Sequence, residues 1–427
     1  MNSRAIKDAV EASLARRYFI ERCFRWSGRL AIIFALGCVA CLFFDIVSKG
    51  LGAFTKTEIR LQVDLSHANL GLSDAPSKAH LELIDFDTLI RNSIYGRFPD
   101  VQSREDQRRL RSLFSSAAGY ELRDQLLAHP AWVGEVRPIW VTADDDTNLF
   151  VKGDISTDMP EVDRRIKDDQ VSWLQTLETN DDIRRSWNST FFTAGDSREP
   201  EQSGIASALI GSLLTMLVTF ALSFPIGVAA AIYLEEMAPK NWFTELLEIN
   251  INNLAAVPSI IFGLLGLAVF INLFGMPRSA PLVGGLVLTL MTLPTIILTS
   301  RAALKSVPLS VREAALGMGA SETQMVLQHV LPLALPGMLT GAIIGMAQAL
   351  GETAPLLMIG MVAFIVDLPQ GITDAATALP VQIFLWADSP ERAFLERASA
   401  AIMVLMLLLV TMNALAIYLR KRLEKRW

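Results

Sequence analysis

The sequence predicts an all-α polytopic membrane protein with six transmembrane helices and an α+β domain inserted after the first of them. Three observations carry that reading. Of the 427 residues, 52% are hydrophobic and the mean hydropathy is +0.37, too apolar for an ordinary soluble domain. The apolar residues gather in long runs, and one polar stretch of normal domain size, 49–203, interrupts them. Both ends of the chain are basic, which asks for an even number of crossings with both termini inside.

Residues 1–29 read as a cytoplasmic segment, in which Arg4, Lys7, Arg16, Arg17, Arg22, Arg25 and Arg29 outweigh Asp8, Glu11 and Glu21. Residues 30–47 are apolar apart from Asp45. Since about 17–20 apolar residues span a bilayer, 30–48 is the first transmembrane helix. The long basic region and the lack of a small-x-small cleavage pattern argue against a removed signal peptide. Residues 49–203 hold 19 Lys/Arg against 27 Asp/Glu, a net of −8, and no run long enough to cross. There, 58–65 alternates as a half-buried strand does, and 136–141 and 148–151 are further strand candidates. Pieces near 84–94, 102–128 and 160–186 look helical. The remaining apolar runs are 204–234, 250–274, 281–300, 331–366 and 398–418, within a membrane domain of 204–420 followed by a basic tail, 421–427. The amphipathic stretch 239–248 fits a cytoplasmic surface. The run 331–366 has 36 residues, about 54 Å as a helix against a ~30 Å hydrocarbon core, so it must bend; Pro336, Gly341, Gly351 and Pro355 are the candidate breaks. Six spans put 49–203 and 367–397 outside and the stretch around 301–330 inside.

Several chemistries are excluded. Cys23, Cys38 and Cys41 lie beside or inside the first apolar run, so no disulfide ties the polar domain, and no Cys/His spacing suggests zinc. No basic patch interleaved with aromatics points to nucleic acid. There is no GxxxxGK[ST] loop and no Ser/His/Asp set, so any ATP used is hydrolysed by a partner. Asp144-Asp145-Asp146 lacks the glycine and spaced acceptors of a calcium loop and reads as a solvated turn. Asn188-Ser-Thr is a sequon only where cells glycosylate.

The most informative stretch is the polar island 310–332. Ser310 with Glu313, and Ser321 with Gln324, have the form of capping boxes, and Gly317 and Gly319 between them can end a helix. Two short helices with a sharp bend result, a knob suited to a groove in another protein. Glu313-Ala314-Ala315, then Gly319, then Leu331-Pro332 resembles the EAA loop of ABC-importer permeases, E-A-A-x3-G-x9-I-x-L-P, except at His329. The resemblance implies the type I ABC-importer permease fold, with a coupling loop at 306–332 that docks on a cytoplasmic ATPase. In that reading Glu313 is cap and docking anchor, Ala314 and Ala315 allow close approach, and Gly319 makes the bend.

The second informative stretch is Ala349-Leu-Gly-Glu-Thr-Ala-Pro. Glu352 stands alone in an apolar surround, where an ionised carboxylate is costly unless paired or wetted. Gly351 and Pro355 can open the helix beside it. The stretch resembles the A-x-G-E-T-A-P motif of phosphate-specific ABC-importer permeases, over about 204–420. That implies a second homologous permease subunit, a cytoplasmic ATPase dimer holding ATP-Mg, an extracytoplasmic phosphate-binding protein, and a bacterial inner-membrane location among lipid, with no cofactor or metal in this chain. Glu352 and Thr353 are candidate pathway residues, with Arg301, Thr292 and Thr299; Thr289 and Thr295 share the threonine spacing. The plainer accounts are helix packing for the threonines and Glu352, and snorkelling for Arg301. Another oxyanion such as sulfate or molybdate is the rival cargo. A membrane sensor reading a signal through 49–203 is the rival class, disfavoured because the sequence offers no output domain.

Overall fold

The computed structural model describes residues 3–71, 81, 84–155, 160–362 and 364–423. It divides into two compact units, Met1–Lys49 and Gly50–Trp427. The first is the body of one unbroken helix, α1 (Ser3–Gly50), whose side chains from 16 to 45 are all exposed. A helix that is apolar over 30–47 and buries none of that face is built to face lipid.

The second unit begins with a three-stranded antiparallel sheet in the order β2-β1-β3, made of β1 (Thr55–Asp64), β2 (Val136–Thr142) and β3 (Ile183–Trp187). Central β1 sends Ile59, Leu61 and Val63 into a core, with Leu65 following. The core is closed by α2 (Phe86–Arg97), α3 (Arg104–Arg111), α4 (Ala118–Ala128) and α6 (Asp168–Thr179). One strand expectation and one helix expectation change. Residues 148–151 belong not to a strand but to α5 (Asp145–Lys152): Asp144 caps it by accepting from the Asp146 N–H, and Gly153 ends it at φ 92°. The end of the stretch expected to be helical, 160–186, is instead β3. Helix α6 stops at Thr179, Asp181 turns the chain at φ 54°, and Arg184 then meets Glu58 across the ladder.

That ion pair gives a prediction. Burial works against ionised Glu58, but Arg184 Nη2 at 2.7 Å and Lys56 Nζ at 3.1 Å outweigh it and hold the carboxyl below its usual range. A carboxyl whose folded-state pKa is lowered stabilises above its unfolded value, 4.5, and loses that contribution as pH falls below it. Glu58→Gln is expected to destabilise by about 1.5–3 kcal/mol near pH 7, and melts near pH 4 should show the difference shrinking.

Asn188 is 1% exposed, with its amide donating to the Ala53 carbonyl and its oxygen accepting from the Phe191 N–H, so the sequon is sealed inside the fold.

The helical part follows. Helix α7 (Ala206–Ile232) runs through Pro225 into a π turn, Tyr233–Met237. The expected third span is a bent pair: α8 (Trp242–Ala255) meets the helix beginning with α9 (Ser259–Leu265) at 104°, with Pro258 at the break. Helix α10 (Pro281–Lys305) is followed by α11 (Leu309–Gly317), α12 (Glu322–Gln324), a π turn (Met325–Val330) and α13 (Leu331–Gly351). Then come α14 (Ala354–Met358), α15 (Leu379–Ala387) and α16 (Arg392–Leu423). Among the described residues, five helices are long and apolar enough to cross a membrane, or six if the bent pair is one span. The 331–366 run breaks at Glu352–Thr353, not at Pro336 or Gly341. Gly341 instead lets two helices touch: a Cβ there would lie 1.8 Å from Thr299 Oγ1.

Candidate functional site

The knob is built from local signals. Helix α11 is capped by Pro308, so Ser310 and Glu313 lie within the helix and the expected capping box between them does not form. The proline presets the entry and displaces the start by two residues. The second box does form: Ser321 Oγ accepts from the Gln324 N–H at 3.3 Å, and Gln324 Oε1 accepts from the Ser321 N–H at 3.0 Å. Between the two, Gly319 sits at φ 88°. Its N–H donates to the Leu316 carbonyl at 2.9 Å, and the Ala320 N–H donates to the Ala315 carbonyl at 3.1 Å. This left-handed closure satisfies the last carbonyls of α11 and reverses the chain.

The knob has an inner and an outer side. Ala315 is 1% exposed and packs in a cluster with Ala231, Leu304, Val326 and Val330. Glu313 and Ala314 are exposed, and around them Leu309, Leu316, Met318 and Leu327 also face outward, Met318 at 76%. Leu331 and Pro332 are half-buried at the start of α13. Glu313 is therefore not a cap; among the described residues its carboxylate has no hydrogen bond or ion pair, and it is exposed.

Arg312 was not singled out in the sequence. Its Nη2 donates to Glu236 Oε1 at 2.7 Å and to the Leu304 carbonyl at 3.0 Å, and its Nη1 to the Val307 carbonyl at 2.6 Å. It ties the knob to the π turn that ends α7. The signal available was an arginine beside Glu313 and an acidic pair, Glu235-Glu236, closing an apolar run. Arg301 plays a similar part. Its Nη2 donates to Glu248 at 2.7 Å and its Nε to Glu235 at 3.2 Å. It joins the π turn after α7, α8 and α10 as a strut, with Nε and Nη2 engaged by carboxylates.

The threonines are likewise turned inward. Thr292 is 1% exposed and its hydroxyl donates to the Leu288 carbonyl at 2.9 Å. Thr299 donates to the Thr295 carbonyl at 2.7 Å and packs on Gly341. Both serve the α10–α13 contact.

Glu352 caps the C-terminus of α13 with extended backbone, ψ 124°, and its N–H donates to the Ala349 carbonyl at 3.2 Å. Its side chain is half-exposed and, among the described residues, has no hydrogen bond or ion pair. Thr353 caps α14, which is held where Pro355 approaches Gly263 so closely that a Cβ there would lie 2.7 Å from Pro355 Cα. Helix α13 has 21 residues, about 31 Å at 1.5 Å per residue. The knob and Glu352 thus stand at opposite ends of α13.

Known proteins resemble this chain over its helical part. Residues 223–427 match the family of binding-protein-dependent transport system inner membrane components. Residues 11–161 match a domain of unknown function, DUF3333. The phosphate transport system permease protein PstA of Yersinia pestis is 33% identical over 215 residues, covering 50% of this chain and 71% of that protein. The chain belongs to the PstA-type permeases of binding-protein-dependent transport systems. Among other relatives of this permease is the probable ABC transporter permease protein YqgI of Bacillus subtilis, 34% identical over 39% of this chain and 56% of that protein. A solved structure of the MetNI methionine ABC transporter overlaps 50% of the permease and 95% of its own chain at 19% identity. The TM-score is 0.40.

Proposed function

We propose that this chain is a membrane permease subunit of an ATP-driven importer that translocates inorganic phosphate across the bacterial cytoplasmic membrane. The observation that carries it is the pairing, on one helix, of an outward-facing knob with an unpaired carboxylate where the helix breaks. The PstA-type relatives supply the cargo. In this reading the bent pair is one span, giving six, both termini are cytoplasmic, and the sheet domain is extracytoplasmic. Glu313, Ala314, Leu316 and Met318 meet a cytoplasmic ATPase dimer, which binds and hydrolyses ATP-Mg; this chain contributes no ATPase site. A second, homologous permease completes the pathway, and an extracytoplasmic phosphate-binding protein delivers the anion.

The geometry supports a mechanism. ATPase closure pushes the knob, Gly319 holds its two arms at a set angle, and Leu331 and Pro332 pass the displacement into α13. At the far end the break at Glu352–Thr353 lets α14 move against α13. Glu352 cannot attract phosphate by charge, so it accepts a hydrogen bond from a protonated phosphate or pairs with a cation of the second permease.

Uptake of labelled phosphate in cells with and without this chain, in a strain lacking other phosphate importers, tests the proposal. Loss of uptake on deletion, undisturbed by sulfate or molybdate, is the expected result. Competition by either anion would move the assignment to a different oxyanion, and unchanged uptake would refute the phosphate reading.

A further inference from the structure

Three membrane helices leave a slot between them. It is lined by α7 from Leu213 to Phe220, by α13 from Leu339 to Met346 and by α16 from Met412 to Leu419. That is about two turns of each helix, some 10 Å, around a volume of about 310 Å³. One side is open: Leu217 is 61% exposed and Leu415 60%. An empty apolar slot forfeits dispersion contacts along its walls, so in hydrocarbon it is filled. A further helix is a poor fit. A helix is 10–12 Å across, so two turns take up roughly 850 Å³ or more, well over twice the space.

Polar groups mark the lining and the mouth. Asn413 lines the slot, and among the described residues its carboxamide has no hydrogen bond. A carboxamide left unpartnered in hydrocarbon is costly, so the occupant must bring it a partner. At the mouth Arg420 reaches across from α16 to α13, where its Nη1 donates to Thr340 Oγ1 at 3.2 Å. Lys421 and Arg422 follow and are exposed. Among the described residues none of these three has a carboxylate partner, whereas Arg301 and Lys305 pair with Glu235 and Arg312 with Glu236. The mouth of the slot is thus an uncompensated cluster of positive charge. Asn413 lies seven residues before Arg420 on α16, about 10 Å deeper. The headgroup layer of one leaflet is about 5–8 Å thick. An anion held at Arg420 therefore leaves Asn413 where ester carbonyls border the hydrocarbon.

We propose that this slot binds one anionic glycerophospholipid. Its phosphate sits on Arg420, with Lys421 and Arg422 adding to the field. An ester carbonyl accepts from the Asn413 amide, and one acyl chain lies along the apolar walls. The forked donors of a guanidinium match phosphate oxygens, and basic residues at the end of a membrane helix favour anionic lipid. The acyl chain packs against α7, α13 and α16 together and so braces α13 between the knob and Glu352. The proposal needs only that the chain lies in a membrane, and it holds whatever the cargo.

The test uses the full-length chain in phosphatidylcholine vesicles with a trace of phosphatidylglycerol carrying a photoreactive group midway along one acyl chain. Adducts are expected on the slot walls, around Leu217, Ile343 and Met412, and unlabelled phosphatidylglycerol should displace them. Added phosphatidylcholine or inorganic phosphate should not. Arg420→Ala should lower the yield roughly fivefold, and Arg420→Lys less. Ala416→Phe, which fills the slot, should lower the yield of a phosphatidylcholine probe as well. Adducts spread evenly over the lipid-facing helices, or equal yields from the two lipid probes, overturn the proposal. Absence of adducts from all three walls, the result if a second chain closes the slot, overturns it too. Displacement by inorganic phosphate would make Arg420 a site for the free anion and also overturn it. The competition arms use the unaltered chain, so they stand even if a variant fails to fold. Adducts are read without transport, so failure of the phosphate assay leaves the outcome intact.

Discussion

A Gly319→Val chain is expected to reach the membrane in normal amount and to lose phosphate uptake. Gly319 holds φ 88° with open space around its Cα. A valine there therefore meets no clash with a neighbour; the penalty lies in the backbone, about 1–3 kcal/mol for a non-glycine residue held in such a region and at the upper end for a β-branched one. The chain relieves that strain by opening the turn, which breaks the Ala320-to-Ala315 bond and changes the angle between α11 and α12. The apolar spans are untouched, so insertion persists. Gly319→Asn is the control, since asparagine tolerates left-handed backbone and should keep most of the uptake. Normal uptake by the valine variant would remove the bend from the mechanism; loss of both uptake and membrane protein would point to folding instead.

Arg312→Ala is expected to be nearly as severe. Its partner Glu236 has a side chain 8% exposed, and Arg312 itself is 16% exposed. Deleting the arginine strands a buried carboxylate and takes a donor from the Val307 and Leu304 carbonyls. Breaking a buried pair this way costs about 3–5 kcal/mol, enough to free the knob from α7 without unfolding the membrane helices. Uptake should fall at least tenfold, and the stretch 306–332 should become sensitive to limited proteolysis in inside-out vesicles. Arg312→Lys keeps the charge but not the fork of donors, and should fall between. A proteolysis pattern identical to that of the unaltered chain would show that Arg312 does not hold the knob.

Features set by neighbouring residues were legible in the sequence. The 58–65 alternation became β1, because period two on one buried face has few other solutions. Gly319 and the Ser321–Gln324 box appear where the string places them, since each is closed by residues within five positions. The break in 331–366 was required by length, and its place went to Glu352–Thr353, ahead of Pro355, not to Pro336. Where two local signals competed, the reading failed. Pro308 displaced Ser310 as the start of α11, and Asp144 with Gly153 turned 148–151 from a strand into a helix.

By itself the sequence determined a membrane protein with a bent helical knob and a lone carboxylate, because apolar run length, glycine and capping chemistry act over a few residues. Only the tertiary structure decided which charges meet. Arg301 reaches Glu235 and Glu248, Arg312 reaches Glu236, and Lys152 reaches Glu396. An ion pair of this kind forms where packing of the apolar faces brings two side chains together and excludes water, and no spacing along the chain records that meeting.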